Sequence, residues 1–476
     1  MRIMKLFVIL FLLGNVSFIV KAKDKGFRRL QVSENNRFLQ YEDGTPFFYL
    51  GDTAWELFHR LNKEEVDFYL KDRASKGFTV IQAVVLAELD GINTPNAYGH
   101  LPLEDRDPSK PLLSPGKDDD YWDHVDYVVN RANSLGLVVA MLPTWGCYWH
   151  DKGKTIFNTQ NAEDYGRFLG KRYRNSDIIW VLGGDRIPEN EEMKDIIRAM
   201  AKGLDAGDNG VHLCSYHPGG GYGSATYFHT EDWLDFNMRQ NGHEVEYWRY
   251  SQTLDDYHLS PIKPVMDSEP VYEDHPVAFN PDKFGHTISM DCRRALYWNL
   301  FNGAFGYTYG HHSIWQMYNP KKNEPINNPL MSWQKALEQP GSSQMKYAKQ
   351  LFLSRPYFTR VPADDVIVKE KVETSIPGSG RYRFLATKDS NGTYAMVYAP
   401  VGRPFSVNME VINDEKVVAW WFNPRNGQSR KIGIYSNKGI RLFDHPSLGE
   451  MEDWILVLDA ASGQYEIPEA EISQYD

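Results

Sequence analysis

The run Ile178-Ile179-Trp180-Val181-Leu182-Gly183-Gly184-Asp185-Arg186 decides how the rest of this 476-residue chain is read. Apolar residues without alternation, closed by two glycines, describe a parallel strand buried on both faces. Asp185 is then delivered just past the C-terminal end of that strand. A second short run, Lys263-Pro264-Val265-Met266-Asp267-Ser268-Glu269-Pro270, also ends in a carboxylate. Two acids at strand ends point to glycoside chemistry, in which one protonates the departing oxygen and the other attacks or stabilises the anomeric carbon.

Outward from this strand, apolar runs alternate with amphipathic stretches. Strands are expected at Pro46–Leu50, Thr79–Ala87 and Leu137–Pro143, and helices at Asn62–Lys76, Tyr121–Leu135, Ala162–Arg174 and Glu191–Leu204. Successive strand–helix units predict a parallel sheet with right-handed crossovers. Further strands at Val211–Tyr216, Phe236–Met238, Pro264–Met266 and Gly306–Tyr309 bring the count to eight. Helices at Trp248–Leu254, Met290–Phe301 and Gln344–Phe352 complete the second half. The expected fold is α/β, a (β/α)8 TIM barrel. A doubly wound open sheet is the alternative, but no dinucleotide fingerprint follows the first strand.

After Arg355-Pro356 the helical period disappears. From about Ala363 to Leu458 short alternating strands are separated by turns such as Asp389-Ser390-Asn391-Gly392 and Asn423-Pro424-Arg425-Asn426-Gly427, the pattern of a small C-terminal antiparallel β-sandwich. Its expected job is packing against the barrel; paired Trp420 and Trp421 read as one core and one surface residue. At the other end, Arg2 and Lys5 precede an apolar stretch from Leu6 to Val20, followed by Val20-Lys21-Ala22, the pattern of a secretory signal. The expected organisation is a signal peptide at 1–22, a barrel at 23–362 and a sandwich at 363–476. That implies a secreted chain, periplasmic in location, with no stable membrane insertion once the signal is removed.

A net charge of −11 argues against a nucleic-acid partner, since phosphate contact requires a basic stripe. Aromatics make up 14% of residues, and flat rings pack well on the C–H faces of sugars. Cys147, Cys214 and Cys292 sit within apolar patterns and read as buried thiols. No metal and no cofactor is expected: His311-His312 is not ligand spacing on a helix.

Polar and aromatic residues gather just after each expected strand, the face on which barrels carry active sites. Asp52 and Trp55 follow the first, Glu88 and Asp90 the second, Trp145 the third and Asp185 the fourth. Tyr216 and His217 follow the fifth, Gln240 and His243 the sixth, Glu269 the seventh, and His311, His312 and Trp315 the eighth. From these, Asp185 and Glu269 are the expected catalytic pair. Asp52, Trp55, Glu88, Trp145, His217, Gln240, His311 and Trp315 are the expected substrate contacts. Asp185 has to stay protonated near neutral pH, so Arg186 is expected to point elsewhere. Glu269 has to stay ionised, with Tyr, His or Arg donors nearby; Asp267 is its main rival. The two carboxyls are expected about 5–5.5 Å apart, the retaining arrangement.

The segments Phe47-Phe48-Tyr49-Leu50-Gly51-Asp52-Thr53-Ala54-Trp55-Glu56-Leu57-Phe58, Trp180–Asp185, Ser268-Glu269-Pro270 and Asp453–Asp459 resemble the apiosidase-like family, glycoside hydrolase family 140. The similarity covers nearly the whole mature chain. It implies a barrel followed by a collagen-binding-type sandwich. It also implies retaining, exo-acting removal of β-linked apiose from the pectin rhamnogalacturonan II, as in gut Bacteroides, with Asp185 as acid/base and Glu269 as nucleophile. Two rival readings share the barrel: an endo-acting glycanase with an open cleft, and a non-catalytic glycan-binding protein. A serine hydrolase is disfavoured because no Gly-x-Ser-x-Gly elbow occurs.

Overall fold

The computed structural model describes residues 28–116, 118–368 and 380–469; the expected signal peptide lies outside them. Eight parallel strands form one sheet: β1 (Tyr49–Thr53), β2 (Val80–Leu86), β3 (Val138–Thr144), β4 (Ile178–Gly183), β5 (Cys214–His217), β6 (Asn237–Gln240), β7 (Val265–Glu269) and β8 (Gly306–Tyr309). Their order, 5-4-3-2-1-8-7-6, returns β8 beside β1, with Tyr309 opposite Asp52. Between β5 and β6 the ring is joined by other bonds. The Asp235 N–H donates to the Cys214 carbonyl at 2.9 Å, the Cys214 N–H to the Asp235 carboxylate at 2.7 Å, and the Ser215 hydroxyl to the Phe236 carbonyl at 2.7 Å. The expected barrel is therefore the fold.

Most elements fall where the apolar periodicity places them, and helix starts follow their caps. Helix α1 (Lys63–Ser75) begins with a capping box in which the Asn62 side chain and Glu65 satisfy each other's backbone N–H. Helices α2 (Tyr121–Ser134), α3 (Thr159–Tyr173) and α4 (Glu191–Asp208) start behind the capping side chains of Asp120, Asn158 and Asn190. Helices α5 (Ser289–Phe301) and α6 (Pro340–Leu353) follow β7 and β8. One helix expected after β6 is instead two short pieces, Tyr247–Tyr250 and Gln252–Tyr257.

The first strand is a correction. Pro46–Phe47 belongs to a small antiparallel sheet with Leu30–Val32 and Leu39–Tyr41, and the barrel strand starts only at Tyr49. Its ladder with β8 and β2 then runs on through Asp52 and Thr53, so Asp52 lies within the strand rather than after it.

The C-terminal region forms a six-stranded antiparallel sheet and a two-stranded one. The larger sheet already begins at Arg360–Pro362, just ahead of the expected boundary. Its central strands alternate. Met396, Tyr398, Trp420, Phe422, Ile455 and Val457 face the barrel core, whereas Val397, Trp421, Leu456 and Leu458 face the sandwich's own core. Trp420 is thus not a surface residue: it is 9% exposed and donates to Asp459 at 3.1 Å. Two buried ion pairs cross the same junction, Arg293 with Asp453 and Arg355 with Asp459, each bidentate. Cys147 and Cys292 are buried, as expected, but Cys214 is half-buried.

Candidate active site

At the C-terminal end of β4 the backbone takes three successive left-handed conformations, with φ of 91° at Gly183, 100° at Gly184 and 53° at Asp185. Only glycine adopts the first two readily, and Asp is among the few side chains that tolerate the third. A Cβ on Gly184 would also stand 2.8 Å from the Gly146 nitrogen and 2.9 Å from the Trp145 ring. The paired glycines therefore have two physical causes: the turn and the close approach of the loop after β3. Together they throw Asp185 over the barrel mouth.

At the end of β7 the register against β6 slips between Asp267 and Glu269. In a regular strand residues two apart share a face, and an extra residue re-aims the one that follows. Asp267 consequently turns away, held by the side-chain amides of Asn241 at 2.5 Å and Asn299 at 2.8 Å. Glu269 faces the mouth, where His217 Nε2 lies 2.9 Å from its Oε2 and His243 Nε2 lies 3.4 Å from its Oε1.

Asp185, Glu269, Trp55, Glu88, Trp145, Gln240 and Trp315 line one depression of about 530 Å³, within the ~300–1,000 Å³ range of small-ligand sites. Gln240 donates to Asp185 Oδ1 at 3.1 Å. The rings of Trp55 and Trp145 stand 5.2 Å apart. The Asp185 side chain keeps 32% of its surface open, Glu269 only 8%, so the first is the more accessible of the two carboxyls.

Three expected contacts are placed differently. Asp52 is fully buried on the far side of β1, accepting from Tyr69 Oη at 2.5 Å and Arg73 Nε at 2.6 Å on α1. His217 is also fully buried; it touches Glu269 from beneath and does not line the opening. His311 turns inward, its Nδ1 accepting from the Ser313 N–H at 3.1 Å as it caps the next turn, and its neighbour His312 reaches the depression instead. His243, Tyr272, His275 and Phe279 also line the depression. The last three follow β7 within Pro270–Phe279, and the signal for them was the same clustering of rings after a strand end.

The charges differ as the chemistry requires. Burial, followed by the negative charge of Glu269, pushes the Asp185 carboxyl up to about 6. Burial alone would raise Glu269 too, but the contacts from His217 and His243 outweigh it and hold that carboxyl down at about 2. Glu88 is pushed up to about 8 by burial and by the charges of Glu56, Asp185 and Glu269. Arg186 directs its Nε and Nη2 to Asp151 at 3.0 and 3.2 Å but, contrary to expectation, also pairs with Asp185. Its Nη1 donates to the Asp185 carbonyl at 2.8 Å and stays 3.4 Å from Oδ2. Among the described residues no cluster of three or more His, Cys, Asp or Glu is arranged to hold a metal ion, and no helix is long and apolar enough to cross a membrane.

Residues 33–359 match the family model described as the apiosidase-like catalytic domain. The chain belongs to the apiosidase-like family. Residues 361–459 of this apiosidase-like protein match a second model, the "Putative collagen-binding domain of a collagenase". Its fold is similar to a glycoside hydrolase family 5 protein from Bacteroides vulgatus ATCC 8482, at 34% identity and a TM-score of 0.84 over 92% of this chain and 94% of the other. A second glycoside hydrolase aligns at 34% identity and a TM-score of 0.82, over 91% and 97%. The comparison with curated proteins found no match. The apiosidase-like chain is a glycoside hydrolase, and a carbohydrate is its substrate.

Proposed function

We propose that the enzyme is a retaining, exo-acting glycosidase that releases β-linked apiose from rhamnogalacturonan II side chains, with Asp185 as acid/base and Glu269 as nucleophile. The observation that carries this reading is the opposed protonation of two carboxyls in one depression, Asp185 raised and Glu269 lowered. In the first step the Asp185 proton passes to the departing oxygen as Glu269 attacks the anomeric carbon; the resulting glycosyl–enzyme ester is then hydrolysed by water that Asp185 deprotonates. Gln240 orients Asp185 through its bond to Oδ1, and the half-buried Trp315 ring offers apolar surface to the sugar's C–H groups. Family membership supports removal of a terminal residue over internal cleavage.

Membership of the apiosidase-like family supports the choice of sugar and polymer. A secretory signal at 1–22 and periplasmic action on oligosaccharide suit the same reading, with the barrel as the catalytic unit and the C-terminal sandwich as its packing partner. Digestion of rhamnogalacturonan II fragments, with the released monosaccharide identified and its first-formed anomer observed by proton NMR, tests every part. Apiose released with retained configuration supports the reading. An inverted product, or no product on any apioside, overturns it.

A further inference from the structure

The loop after β7 carries two neighbouring residues in the left-handed region, Ala278 with φ 51° and ψ 28° and Phe279 with φ 57°. A bulky residue at positive φ is a genuine outlier, and such strain persists only where the surroundings over-determine it. Here they do. Val277 donates to Gly285, Phe279 to Pro276 and Asn280 to Val277, all at 3.0 Å, and Pro276 bridges to His286.

The strained turn brings no burial in return. Phe279 keeps 59% of its surface exposed although it lines the depression. Its ring meets His275 edge to face at 4.8 Å and His243 at 6.3 Å. His275 is 2% exposed and stacks on His243 at 4.1 Å, and His243 in turn reaches Glu269 at 3.4 Å. A chain of rings therefore runs from the carboxylate in the depression to an open aromatic surface at its rim. An aromatic face carries partial negative charge and attracts the polarised C–H groups of a sugar.

We propose that Phe279 is the stacking platform for the sugar on the leaving-group side of the scissile bond. The assignment rests on the exo-acting reading above: when the terminal residue fills the depression, only the remainder of the glycan can lie against the rim. Phe279 then binds the chain from which the terminal sugar is removed, and separates oligosaccharide substrates from simple glycosides.

The test compares a rhamnogalacturonan II side-chain oligosaccharide ending in β-apiose with methyl β-apioside, using wild type, Phe279→Ala and Phe279→Tyr. Phe279→Ala should lower kcat/KM on the oligosaccharide about tenfold, the scale of one lost ring contact. On methyl β-apioside, which places nothing on the rim, the loss should be several-fold smaller. Phe279→Tyr should restore the oligosaccharide rate and, by preserving the ring, covers the case in which the alanine variant folds poorly. An equal loss on both substrates, or no loss on the oligosaccharide, overturns the platform. Should wild type cleave neither substrate, it is the proposed reaction that falls. Calorimetric binding of the same oligosaccharide then decides Phe279: about tenfold weaker binding by Phe279→Ala upholds the platform, and equal binding ends it.

Discussion

His217 touches both candidate carboxyl residues: its Nε2 lies 2.9 Å from Oε2 of Glu269, and its Nδ1 lies 3.4 Å from the backbone N–H of Asp185. Because Nδ1 accepts that N–H, the ring proton of a neutral His217 sits on Nε2, the atom beside Glu269. The β4 turn thereby sets the tautomer that keeps Glu269 ionised.

Replacing His217 by Ala should accordingly raise the Glu269 carboxyl. A nucleophile is active when ionised, so the acid limb of the kcat/KM–pH profile moves to higher pH, and activity at pH 5 falls more than at pH 7. An unmoved acid limb would show that His217 does not hold the charge of Glu269.

Asp185→Ala should lower kcat/KM on natural glycosides by roughly 10²–10⁴-fold and spare substrates with a good leaving group in the first, glycosylation step. Parallel rates on aryl and natural β-apiosides measure this. Equal losses on both, with circular dichroism unchanged, would remove Asp185 from the acid role. Glu269→Ala should abolish turnover of both, because no covalent intermediate can form.

Glu88 supplies a stability test with a definite sign. Its folded carboxyl is raised to about 8, so between the ordinary range and about pH 8 the folded state binds the extra proton and stability declines as pH rises. Glu88→Gln removes that liability. The variant's Tm should exceed wild type at pH 8 and match it near pH 4; thermal scans showing the same difference at both pH values would refute the raised carboxyl.

The junction between barrel and sandwich rests on Arg293 and Asp453, with side chains 4% and 0% exposed. Among the described residues, Arg293→Leu leaves Asp453 with only the Arg425 contact at 3.2 Å as an ion pair. Urea unfolding should show a loss of about 3–5 kcal/mol, the usual result of removing one partner of a buried pair. Activity at low temperature should stay near wild type, since neither residue lines the depression.

Much of this protein is local and so legible in the sequence. Apolar period distinguishes strand from helix within a few residues, caps such as Asn62 and Asn190 set helix starts, and the Gly183-Gly184-Asp185 turn needs residue types that can be named without a structure. The eight-strand barrel, the switch to antiparallel strands after Arg355-Pro356 and the carboxylates at the ends of β4 and β7 all follow from signals of that kind. The aromatic clusters after strand ends belong with them.

The tertiary structure decided which way those residues look. Asp52 lies in a ladder that runs three residues further than its apolar pattern, and its carboxylate meets Arg73 on α1 instead of the depression. Asp267 and Glu269 are separated by a register slip that only the neighbouring strand reveals. His311 caps a turn and yields its place to His312. Protonation is the least local of all. Asp185 is raised by its burial and by the charge of Glu269, and Glu269 is held down by His217 and His243, residues far apart in sequence that meet only when the ring of strands closes. Facing depends on register, and charge depends on whatever surrounds the group; neither is a property of the residue's own segment.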